Sequence, residues 1–98
     1  MNELTPTELD VQQLANELSE SLSAKYGPIL GSSSLVKALG YPSSGSFYQA
    51  LSRGTVPVPV FRIDNRRGSF ALTRDVALWL SKKRAQAILQ QNEIQDAS

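Results

Sequence analysis

Residues 35–54 read LVKALGYPSSGSFYQALSRG, and their punctuation decides the fold. Leu35, Val36, Ala38 and Leu39 make a short apolar face, and Gly40 stands where a helix ends in a left-handed residue. Tyr41-Pro42-Ser43-Ser44-Gly45 has the composition of a turn. Phe47, Ala50 and Leu51 then share one side of a helix at i, i+3 and i+4, and Gly54 stops it. Two short helices separated by about five turn residues, each with one apolar face, make a helix-turn-helix candidate whose second helix is SFYQALSR (46–53).

Upstream, Thr7 to Tyr26 contains neither Gly nor Pro. Leu4, Val11 and Leu18 recur at heptad spacing with Leu14 and Leu22 on the same side, which predicts an amphipathic helix ended by Gly27-Pro28. Pro28 to Gly31 reads as extended. Any of Ser32, Ser33 and Ser34 can cap the following helix, and no Glu or Gln lies three places on to make a capping box.

Downstream the pattern changes to period two. VPVPVFRID (56–64) and GSFALT (68–73) predict a hairpin joined by Asn65-Arg66-Arg67-Gly68, with Phe61 and Ile63 facing Phe70 and Leu72. Pro57 and Pro59 cannot donate to a ladder, which makes that half an edge or an extended lead-in. Thr73 is the expected cap of the last helix, and Asp75 suits its N-terminal dipole. Val76, Trp79 and Leu80 form its buried stripe, continued by the Lys83 stem, Ala87 and Ile88. Leu78, Ala85 and Leu89 begin a second stripe. The expected organisation is an N-terminal amphipathic helix at 1–27, a mostly α unit with a small β-hairpin at 28–91, and a disordered tail at 92–98.

Composition removes several function classes. The 98 residues suit one domain, and 41% hydrophobic with 19% charged residues fits a folded soluble chain. With no Cys and no His, there is no disulfide, no thiolate or imidazole metal site and no histidine base. Thirteen serines are present, but none has a His partner or a Gly-x-Ser-x-Gly elbow. Phosphate-loop and EF-hand patterns are missing as well. The expectation is a non-enzyme with no catalytic residues, no cofactor and no metal. No apolar run is long enough to span a bilayer and the N-terminus does not read as a signal peptide, so a cytoplasmic protein without membrane contact is expected.

The net charge of +1 conceals an asymmetry. Residues 1–31 sum to −4, residues 32–91 to +7 and the last seven to −2, which returns the total. A basic centre between acidic ends points to a polyanion partner, and the alternative is an ordinary solvated surface.

The ordered motifs carry a resemblance. Ala38-Leu39-Gly40, Ser46-Phe47-Tyr48, Arg53-Gly54-Thr55-Val56-Pro57, the basic stretch Arg62 to Arg67, and Asp75-Val76-Ala77-Leu78-Trp79-Leu80 follow one another in sequence. From about Pro28 to Lys83 the chain resembles the small winged helix-turn-helix domains of excisionases, AlpA-like prophage regulators and MerR-type regulators. Two features depart from that pattern: the inter-helix turn is one residue longer, and the lead-in VPVPV is richer in proline. The resemblance implies sequence-specific binding of duplex DNA by a small phage- or plasmid-type protein, as a transcription regulator or an excisionase-like recombination directionality factor. It implies a recognition helix offering Ser43, Ser44, Ser46, Tyr48, Gln49, Ser52 and Arg53 to DNA, and a wing offering Arg62, Asn65, Arg66 and Arg67.

Gln suits adenine edges, Ser bases or phosphate, and Arg phosphate or guanine. The structural alternatives are capping for the serines, packing against the wing for Tyr48 and edge protection for the arginines. Lys37, Lys82, Lys83 and Arg84 are further candidate phosphate contacts, or simply solvated helix faces. The N-terminal helix is expected to fold back on the last helix or to pair with a second copy, giving a homodimer or a cooperative assembly on DNA. An integrase or polymerase is a further expected partner. The competing function is a protein–protein adaptor working through the N-terminal helix.

Overall fold

A computed structural model describes residues 6–97, with side-chain surroundings for residues 10–90. Helix α1 spans Pro6–Tyr26, strand β1 Ile29–Gly31, helix α2 Ser32–Leu39, helix α3 Ser44–Arg53, strand β2 Phe70–Leu72 and helix α4 Thr73–Ala97. No helix among the described residues is long and apolar enough to cross a membrane. Leu4, expected on the apolar side of α1, lies outside the described residues.

The glycine stops act as their chemistry dictates. Gly40 and Gly54 adopt left-handed φ of 84° and 71°. Past each one the chain turns back on its helix, with Tyr41 N donating to Val36 O at 3.1 Å and Thr55 N to Ala50 O at 2.9 Å. Both are the closing bonds of a glycine C-cap, which satisfy carbonyls that the helix leaves unpaired.

The core forms where α2, α3, both strands and the start of α4 converge. Leu30, Leu35, Val36, Leu39, Phe47, Val58, Ala71 and Val76 are buried together. Phe47 is 2% exposed and lies edge-on between the rings of Tyr41 and Tyr48, with centroids 5.7 and 5.2 Å away. Residues 56–60 run extended across this core. Val56, Val58 and Val60 turn inward while Pro57 and Pro59 stay exposed, so the alternation is real although no ladder forms.

The strand pairing differs from the expected hairpin. β2 pairs antiparallel with β1, matching Ile29 with Leu72, Leu30 with Ala71 and Gly31 with Phe70. The segment 56–64 contributes a single bridge, in which Phe61 and Phe70 exchange both backbone hydrogen bonds at 2.8 Å. The two prolines explain the shortfall, because each removes a donor from the strand that would have paired. Gly31 has a packing reason. A Cβ there would lie 2.5 Å from Cδ1 and Cε1 of Phe70, so the ring occupies the space a side chain would need.

Several local expectations are corrected. Gly31, not a serine, occupies the position before α2, and no side chain caps that helix. Thr73 opens α4, but its hydroxyl donates to Gly27 O at 2.7 Å while its amide donates to Pro28 O at 2.9 Å. It thereby ties the start of α4 to the end of α1. Of the expected stripe on α4, Val76 is fully buried and Trp79 and Leu80 are half-buried against the core, whereas Lys83, Ala87 and Ile88 are exposed. Residues 92–97, expected as disordered tail, continue α4 to Ala97.

Helix α1 folds back along α4, one of the two arrangements its apolar side allowed. Val11 and Leu14 lie by Ala85 and Ile88, and Ser19 and Ser23 by Leu72 and Arg74. The two helices therefore run antiparallel.

Candidate nucleic-acid interface

Helix α3 begins with a reciprocal cap built from two serines. Ser46 N donates to Ser43 Oγ at 3.1 Å, and Ser43 N donates to Ser46 Oγ at 3.3 Å. The Ser46 hydroxyl in turn donates to Ser43 O at 2.8 Å. These bonds commit Ser43 and Ser46 to holding the helix start, and Ser46 is half-buried. Both serines thus have the capping role that was the structural alternative for them.

The inward side of α3 is set by Phe47 and Leu51, which pack into the core. The opposite side is exposed. Gly45, Tyr48, Gln49, Ser52 and Arg53 line one shallow open depression along it. All five are exposed, and Tyr48 at 46% is the most prominent apolar surface on the helix. Its ring lies edge-on to that of Phe47. Ser44 is exposed at the N-terminal end of the same helix.

Gly45 was missed in the sequence because it was read as a turn residue. It lies inside the first turn of α3, and a Cβ there would meet nothing closer than Ser43 Oγ at 3.7 Å. The fold does not need a glycine at this position, and its absent side chain leaves the backbone open to the depression.

The basic loop follows Phe61. Arg66 N donates to Ile63 O at 3.1 Å, closing a turn in which Asn65 takes a left-handed φ of 64°. Asn tolerates that conformation better than most residues. Arg62, Asn65, Arg66 and Arg67 are all exposed. The loop is held at one end by the Phe61–Phe70 bridge and at the other by Gly68, whose φ of 89° turns the chain into Ser69 and β2.

The remaining cations divide. Lys37, Lys82 and Lys83 are exposed on α2 and α4. Arg84 lines a groove between α1 and α4, which Asp10 lines from the α1 side, and is not among the residues lining the α3 depression. The residues lining the α3 depression all belong to α3, and none comes from 62–67. Every one of the nine Lys and Arg residues in 32–91 is exposed, so the positive charge of this region is presented to solvent.

No known family pattern matches this chain, and no curated protein or solved structure matches it either.

Proposed function

We propose that this chain binds duplex DNA sequence-specifically as a winged helix-turn-helix. Helix α3 lies in the major groove, and the loop 62–67 contacts the sugar-phosphate backbone or a narrow minor groove. The observation that carries the reading is the outward face of α3. Tyr48, Gln49, Ser52 and Arg53 surround one depression on a helix whose other side is sealed into the core. A helix anchored on one side and presenting hydrogen-bonding side chains on the other fits the width of the major groove.

Each side chain has a chemical role in this reading. The Gln49 amide matches the paired donor and acceptor of an adenine edge, and Arg53 matches guanine or a phosphate. Tyr48 and Ser52 supply hydroxyls, and Ser44 stands at the N-terminal end where phosphate is favoured. The arginines of the loop supply counterion-releasing contacts that fix position without selecting sequence. The biological setting proposed is that of a small phage- or plasmid-type regulator or excisionase-like factor.

The test is amide chemical-shift mapping of the full chain titrated with duplex DNA selected from a random pool. Shifts are expected at 44–53 and 62–67, with α1 unmoved. A selection that enriches no sequence, or shifts confined to α1 and the C-terminal half of α4, would contradict the proposal.

A further inference from the structure

We propose that the groove between α1 and α4 docks a second copy of this chain, so that two antiparallel helix pairs stack about a two-fold axis. The inference does not depend on DNA binding.

The fold-back of α1 leaves its own apolar seam unfinished. Val11 and Leu14 on one wall are half-buried, and on the other wall Ile88 and Leu89 are 39% and 50% exposed. The floor makes no polar demand, because the Ser81 hydroxyl is already satisfied by Ala77 O at 2.8 Å. A helix pair with an open apolar seam completes itself most simply by stacking on another pair, as in a four-helix arrangement.

Charge selects the occupant. The α1 wall carries Asp10 and the α4 wall carries Arg84, both exposed at the groove. A two-fold rotation lays the α1 wall of one copy on the α4 wall of the other, so each Asp10 meets Arg84 of the second copy. An isologous interface requires this self-complementarity. A polyanion or a uniformly acidic partner would meet Asp10 with like charge, and a uniformly basic one would meet Arg84.

The experiment is sedimentation velocity of the full chain across about 1–200 μM, the range in which weak to moderate association becomes visible. Wild type should pass from monomer to dimer. Leu89→Glu, at a half-exposed site, should keep its circular dichroism and weaken association by about tenfold or more, since it puts charge into an apolar seam. Leu78→Glu, exposed in a different groove between α1 and α4, lined by Gln12, Asn16 and Asp75, should leave association unchanged. Asp10→Arg and Arg84→Asp should each weaken self-association, because each sets like charges against each other. An equimolar mixture of the two should associate again, because each then meets its opposite. That rescue can occur only between chains. A wild type that stays monomeric throughout, a dimer indifferent to Leu89→Glu, or a mixture that fails to associate overturns the proposal.

Discussion

Replacing Gly31 by alanine would put a methyl carbon 2.5 Å from two ring atoms of Phe70. Ordinary carbon contacts lie at about 3.5–4.0 Å, so the ring must retreat by about 1 Å or more. The backbone cannot give way instead. Gly31 is paired with Phe70 in the β1–β2 register, and Phe70 is held from the other side by two 2.8 Å bonds to Phe61. Overpacking of this kind costs about 1–3 kcal/mol. Gly31 has an extended φ of −144°, which alanine adopts freely, so the stiffer unfolded chain returns about 0.4–1 kcal/mol. The net expectation is a loss of about 1–2 kcal/mol, or about 5–10 °C in melting temperature for a domain of this size. Thermal and urea unfolding followed by circular dichroism would measure it, with Gly31→Ala repeated in a Phe70→Leu background. Removing the ring should erase most of the penalty, giving a coupling of about 1 kcal/mol or more. If Gly31→Ala stabilises the protein, or costs the same in both backgrounds, the ring-over-glycine account of this sheet is wrong.

Two further substitutions separate structure from recognition. Gln49→Ala, on the exposed side of α3, should leave stability within about 0.5 kcal/mol while lowering discrimination at one base position by about 1–3 kcal/mol, read by site selection against wild type. Ser43→Ala removes the side-chain half of the α3 cap and should cost about 1 kcal/mol in urea unfolding, whereas Ser44→Ala, which caps nothing, should be neutral.

The helices were legible because their signals are local. The Gly- and Pro-free run before Gly27 placed α1, and Gly40 and Gly54 placed the ends of α2 and α3. The outward face of α3 followed from Phe47 and Leu51 facing in, which left Tyr48, Gln49, Ser52 and Arg53 facing out. What the sequence did not disclose depends on distant partners. β1 has three residues, too few for any periodicity to show, and its partner β2 lies some forty residues on. Valines alternating with prolines read as a strand, yet the prolines left only the Phe61 bridge. Thr73 carries the chemistry of a cap, but its hydroxyl is used by Gly27 across the fold. Capping was one of the two readings of the α3 serines, but its reciprocal form was hidden: the usual signature asks for Glu or Gln at the third helical position, and here Ser46 does the work from a shorter side chain.

The most direct test of the proposed function is the salt dependence of DNA binding by the full chain, measured by fluorescence anisotropy on a selected duplex for wild type and for Arg66→Ala/Arg67→Ala. Both arginines are exposed on a loop that contributes nothing to the core, so the variant should fold as wild type does. Wild-type affinity should fall steeply as salt rises. The variant should bind every duplex more weakly, with the slope of log affinity against log salt shallower by about 1–2. Binding that is independent of salt, or a variant with unchanged affinity and slope, would contradict the account.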